Sequence, residues 1–149
     1  VNEQTVRIAL RELVDRYASA VDRKQIAEVA ALFTTEGELL IHAPGEADPR
    51  SAYRGRAEIT RALGGLDRYP VTFHLVGNQL LDVGAGSQAS GETYCQASHL
   101  YEADGEQRIH VLSIRYEDTF VYETDRWRFA VRRQRTDWAE DRPFHHREL

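Results

Sequence analysis

The chain is poor in cysteine: Cys95 stands alone in 149 residues. A single thiol excludes an intrachain disulfide and offers no thiolate cluster to a structural zinc, so a reducing compartment is expected. Long apolar runs are also missing. None approaches the ~20 residues of a membrane-spanning helix, and the N-terminal stretch lacks the basic-then-apolar layout of a secretory signal. Nor is there a long basic run: 19 Lys+Arg face 24 Asp+Glu, a formal net charge of −5. Such a balance argues against nucleic acid as a partner. The composition therefore predicts a soluble cytoplasmic protein with no membrane partner. Its length suits one well-filled core and is short for two domains.

From Glu3 to about Val21 the apolar residues Val6, Leu10, Leu13, Tyr17 and Val21 recur at spacings of three and four. That spacing predicts one face of an amphipathic helix. Asp22-Arg23-Lys24-Gln25 then fits an N-cap followed at its third position by Gln, predicting a second helix with Ile26, Val29, Ala30 and Phe33 on its buried side. Glu38 to His42 reads as a short strand, and Ala43 to Arg50 as a loop with two prolines and a glycine. A short helix near Arg56 to Leu63 is stopped by Gly64-Gly65. Beyond Pro70 the pattern changes to long strands, about Val71 to Val83, Gln88 to Glu102, Gln107 to Glu123 and Arg126 to Trp138, separated by glycine-rich or Asp-containing turns. Helices followed by consecutive hairpins predict an α+β domain, with three N-terminal helices gathered on one face of a mostly antiparallel sheet. The domain is expected to span 1–142, leaving 143–149 as a mobile tail.

Candidate chemistry centres on His74, in the strand Val71 to Asn78, which shares a face with Thr72 and Val76. An imidazole there titrates near the working pH and can take up and return a proton. The plainer reading is a core histidine satisfied by its neighbours. Asp22 is the second candidate, although capping a helix would account for it equally well. Tyr17 lies on the buried stripe of the first helix, where its hydroxyl can act as an acid or a carbonyl clamp. Strand alternation places His110, Leu112, Ile114 and Tyr116 on one face and Thr93, Cys95, Ala97 and His99 on one face of the preceding strand. Small side chains there leave volume for a ligand beneath the helices. In the last strand Trp127, Phe129 and Val131 alternate with Arg128, Ala130, Arg132 and Gln134. Apolar area on both faces of the sheet predicts a homo-oligomer, a dimer or trimer. No metal site is expected: His74, His99 and His110 lack an evident carboxylate companion, and neighbouring His145 and His146 do not make a coordination sphere.

These fragments resemble the nuclear transport factor 2-like superfamily, and in particular its SnoaL-like branch. The resemblance is carried by Leu13-Val14-Asp15-Arg16-Tyr17, Ala20-Val21-Asp22, Ala30-Ala31-Leu32-Phe33, Tyr53-Arg54-Gly55-Arg56, Phe73-His74-Leu75-Val76-Gly77-Asn78, Gly91-Glu92 and Trp127-Arg128-Phe129 before Arg132. It implies a cone-shaped α+β barrel. In the dehydrochlorinases of that branch, Asp22 and His74 fall on the catalytic pair, His as base and Asp as the group that orients and charges it. Arg132 falls on a pocket arginine that stabilises a departing anion, while its own strand periodicity leaves its direction open. Tyr17 stands where those enzymes have a basic residue, and His99, His110 and Tyr116 stand at aliphatic positions. These departures imply an oxygenated substrate, as in the more loosely similar scytalone dehydratases, where a His-Asp pair takes a proton beside a carbonyl that tyrosine polarises.

The resulting expectation is a cofactor-independent lyase, a dehydratase or related eliminase, acting on a small, partly apolar oxygenated molecule. His74, Asp22, Tyr17 and Arg132 would be catalytic, and Cys95, His99, His110, Leu112, Ile114 and Tyr116 would contact substrate. An isomerase or cyclase using the same pair, or a non-catalytic ligand-binding or assembly module, are the alternatives.

Overall fold

A computed structural model describes residues 2–84 and 86–145. Helix α1 spans Glu3–Asp22, capped by Asn2, whose side chain accepts from the Gln4 N–H at 2.9 Å. Its stripe of Val6, Leu10, Leu13, Val14, Tyr17 and Val21 is buried, so apolar burial and not the isolated helix holds it in place. The chain turns through Lys24 at φ 58° into α2, Ile26–Ala31. Asp22 is the last residue of α1, and the cap position of α2 is Gln25 with no side-chain bond. The expected Asp22 cap is therefore not formed, because its carboxylate is engaged elsewhere.

Strand β1 covers Phe33–His42 and begins five residues before the expected Glu38. Phe33, expected on the second helix, opens this strand instead. The early start includes a register shift between Phe33 and Glu38. There Gly37 has no room for a side chain, since a Cβ would lie 2.9 Å from Phe33 Cβ. Strand β2 is Ser51–Arg54, α3 is Gly55–Gly64 and a 3₁₀ turn covers Gly65–Arg68. Four long strands follow: β3 Val71–Val83, β4 Gln88–Ala103, β5 Glu106–Glu123 and β6 Arg126–Pro143. Strand β6 thus runs past the expected end at Trp138, and the Phe144 N–H donates to Gln107 O at 2.8 Å. Of the expected tail, 146–149 lie outside the described residues.

The six strands form one mixed sheet in the order β2-β1-β6-β5-β4-β3, parallel only between β1 and β6. The sheet curls into the wall of a cone without closing, and β3 is an edge. Helix α1 covers that edge with polar side chains: Arg7 Nη1 donates to Leu81 O (3.1 Å) and Arg11 Nη1 to Gly77 O (2.9 Å). Edge carbonyls that could recruit a foreign strand are thereby satisfied within the chain. Inside the cone, Phe33, Phe120 and Phe129 are fully buried beside Tyr17 and Tyr116. Each such side chain contributes about 1.5–3 kcal/mol by leaving water. No helix among the described residues is long and apolar enough to cross a membrane.

Candidate functional site

Alternation along β3 turns Thr72 and His74 inward and Phe73 and Leu75 outward, the latter two strongly exposed. The inward His74 meets the end of α1. Its Nδ1 lies 2.7 Å from Asp22 Oδ1, and its main-chain N–H donates to Asp22 Oδ2 at 2.9 Å. Thr72 Oγ1 donates to Asp22 Oδ1 at 3.0 Å. Burial pushes the Asp22 carboxyl up, and the side-chain and backbone hydrogen bonds from His74 more than reverse this, leaving it below the usual carboxylate range. The carboxylate thus persists at neutral pH and holds the ring through Nδ1, while Nε2 has no hydrogen-bond partner among the described residues.

His74 lines a cavity of about 290 Å³ between the helices and the sheet. Tyr17 reaches this cavity from α1, and His99, His110, Leu112, Ile114 and Tyr116 reach it from β4 and β5. Three imidazoles run across neighbouring strands, with ring centroids 5.7 Å apart for His74 and His99 and 6.2 Å for His99 and His110. Burial, reinforced by repulsion from His74, pulls His99 down to about 4, so its ring is neutral near pH 7. Its Nδ1 is buried without a hydrogen-bond partner among the described residues. Burial also keeps the Tyr17 and Tyr116 phenols protonated by raising both above their ordinary value. The wall is therefore apolar carbon interrupted by imidazoles, phenols and the Arg68 guanidinium, the mixed lining of a small-molecule pocket. Among the described residues no three His, Cys, Asp or Glu side chains are grouped to hold a metal ion.

Residues 3–133 match the SnoaL-like domain family. The chain belongs to that family. An uncharacterized protein of Mycobacterium tuberculosis is 28% identical over 132 residues, covering 89% of this chain and 86% of that protein. A crystal structure from Novosphingobium aromaticivorans, assigned provisionally to scytalone dehydratase, superposes with a TM-score of 0.81 at 23% identity over 97% of this chain and 91% of that one. The type 3 hexachlorocyclohexane dehydrochlorinase of Novosphingobium barchaimii superposes with a TM-score of 0.78 at 14% identity, covering 98% and 94%. Identities this low establish the shared nuclear transport factor 2-like fold and nothing finer.

In this SnoaL-like chain two expected site residues lie elsewhere. Arg132 is fully buried outside the cavity wall, paired to Asp118 through Nε (2.9 Å) and Nη2 (2.8 Å). Burial alone opposes its charge, and the Asp118 carboxylate more than offsets this. Its guanidinium packs over the rings of Tyr17, Tyr116 and Phe129 at 4.3, 4.0 and 4.2 Å. Its Nη1 is buried without a hydrogen-bond partner among the described residues, so the expected anion-binding arginine sits behind Tyr17 and Tyr116, with an acid of its own, and not on the cavity wall. Cys95 also lies behind the wall, with its thiol pushed up to about 11 by burial. Conversely, Tyr53, Leu63, Leu66, Arg68 and Tyr69 line the cavity unforeseen. They come from β2, α3, the 3₁₀ turn and the residue after it, and no periodic pattern in the sequence marks them.

Proposed function

We propose that this SnoaL-like protein is a cofactor-independent lyase that removes water from a small hydroxy-carbonyl compound. The observation supporting this reading is the 2.7 Å contact of His74 Nδ1 with Asp22, which orients an imidazole that lines the cavity. His74 Nε2 takes the proton from the carbon beside the carbonyl, and Asp22 stabilises the resulting imidazolium. Electron density moves onto the carbonyl oxygen, where the Tyr17 hydroxyl and a His99 N–H serve as donors. As the carbon–carbon double bond forms, the β-hydroxyl departs, and the proton held by His74 leaves with it as water. The imidazole is then neutral again, so each turnover conserves protons without a cofactor or metal.

Arg132 bears on the choice of leaving group. With that cation paired to Asp118, the one Lys or Arg lining the His74 cavity among the described residues is Arg68, which the outer space shares. Water loss needs only the proton that His74 has taken up. Isomerisation or cyclisation is the second reading, since neither expels a group. The deciding experiment incubates the protein with a panel of β-hydroxy ketones and aldehydes and follows conjugated product by ultraviolet absorbance. Isomerised product with the oxygen retained would move the protein to the second reading. Binding without turnover would leave a ligand-binding module.

We propose further that the protein self-associates through the outer face of its sheet. Phe73, Leu75, Leu80 and Trp138 are exposed there at 61, 59, 69 and 49%, more apolar surface than a free face of a soluble sheet ordinarily carries.

A further inference from the structure

The His74 cavity borders a second, outer space of about 440 Å³, the two sharing Arg68, Tyr69 and His110 as lining residues. Charge is distributed unevenly between them. No Asp or Glu lines the inner cavity, and Arg68 is its only Lys or Arg among the described residues. Arg68 is also the only Lys or Arg among the described residues that lines the outer space. Other cations nearby are committed. Arg108 holds Asp141 at 2.6 Å and Glu106 at 3.0 Å, and Lys24 donates to Leu66 O and Thr72 Oγ1 at 3.3 and 3.4 Å. Glu102 and Asp141 line the outer space too, but the Asp141 carboxylate is already occupied by Tyr101 Oη (2.5 Å) and Arg108 Nε (2.7 Å). Arg68 has no hydrogen-bond or ion-pair partner among the described residues, and its guanidinium rests 4.8 Å above the Tyr69 ring. A planar fork of donors stacked on an aromatic at a cavity mouth is a ready partner for a carboxylate.

We infer that the two spaces form one bipartite site for a carboxylate-bearing substrate, its acid group on Arg68 at the junction and its uncharged, oxygenated body against His74 and His99. This inference rests on the proposed use of the inner cavity for substrate and adds the substrate's charge class. The inner cavity is too poor in countercharge to accept an anion, because burying one there without a partner is costly. At the mouth, Arg68 supplies the partner while water still reaches the rest of the group.

The test needs no turnover. Salicylate and its uncharged relative salicylamide are titrated into the protein at pH 7 by calorimetry, with imidazole resonances followed by NMR. Salicylate is expected to bind about tenfold more tightly, and to shift the His99 resonance as its ring enters. Arg68→Gln is expected to abolish the advantage without changing salicylamide affinity, and Arg68→Lys to keep part of it. Equal affinities, no binding of either compound at ~10 mM, or an advantage that survives Arg68→Gln would each overturn the inference. The two readings fail separately. An anion preference in a protein that dehydrates nothing retains the subsite and removes the lyase, while turnover of neutral hydroxy ketones without an anion preference does the reverse.

Discussion

Asp22 grips His74 twice, taking its main-chain N–H on one carboxylate oxygen (2.9 Å) and its ring Nδ1 on the other (2.7 Å). The two bonds fix strand position and ring orientation together, tying the end of α1 to the middle of β3. In the proposed chemistry they also select the tautomer, with the Nδ1 proton toward the carboxylate and Nε2 as the base. On the proposed chemistry, His74→Gln should lower kcat by about 10²–10⁴-fold. Asp22→Asn should lower it comparably, since an uncharged amide neither stabilises the imidazolium nor selects the tautomer. Steady-state kinetics on a dehydrated hydroxy ketone, with circular dichroism to show retained folding, check both. Unchanged turnover in His74→Gln would remove the imidazole from the mechanism.

A second prediction concerns acid stability. His99 titrates at about 4 in the fold, against an ordinary value of 6.5, because burial and His74 oppose its charge. Below pH 6.5 the unfolded chain binds a proton that the folded one refuses, so folding stability falls with pH until about 4 and then levels. At one pKa unit per 1.36 kcal/mol, the loss between pH 7 and 5 is about 2 kcal/mol. Asp22 acts in the same direction but lower. Its carboxyl is depressed in the fold, so its contribution is present above the unfolded carboxylate value and lost as pH drops through the folded one. Urea unfolding at pH 7 and 5 should show the His99 segment, and His99→Gln should flatten it.

Much of this arrangement was legible in the chain, for reasons that separate by residue. The stripe from Val6 to Val21 and the alternation of His110, Leu112, Ile114 and Tyr116 are periodic consequences of burial, which reads directly from spacing. Both sets face inward as expected. Asp22 was ambiguous because a carboxylate at a helix junction suits a cap as well as a distant partner, and only the β3 register places His74 and Thr72 within reach. Arg132 was illegible for a related reason. Its strand has apolar residues on both faces, and its partner Asp118 lies on β5, in register opposite it. The contributions of Tyr53, Leu63 and Tyr69 depend on how α3 and the 3₁₀ turn fold over the cone mouth, a tertiary fact with no periodic signature.

Arg132 and Asp118 give a prediction with a built-in control. Both are buried, with Arg132 at 0% and Asp118 at 3% exposure. Asp118→Asn leaves the guanidinium charged against three aromatic rings with no counterion, and should cost about 3–5 kcal/mol in urea unfolding at pH 7. Arg132→Met should cost less. Burial already raises the Asp118 carboxyl, and protonation relieves the unpaired acid. Replacing both, Arg132→Met with Asp118→Leu, should recover most of the loss, because an apolar pair of similar volume pays no desolvation penalty. A double variant as unstable as Asp118→Asn would show that the cation's packing on Tyr17, Tyr116 and Phe129 matters more than its charge balance.

The last prediction tests the outer face. Phe73 and Leu75 alternate with inward Thr72 and His74 on β3, so they point away from the cavity while lying one residue from its base. Their edge cannot pair with another strand at the carbonyls that Arg7 and Arg11 already occupy. At the β3 edge the proposed association therefore uses the side-chain face and does not extend the sheet. If that face is the interface, Phe73→Glu places a charge in it and should weaken assembly by at least tenfold through the cost of desolvating that charge. Sedimentation velocity over a concentration series reads this directly. A wild-type protein that sediments as a monomer at all concentrations would refute the interface, and a Phe73→Glu variant that assembles as well as wild type would move it to another surface.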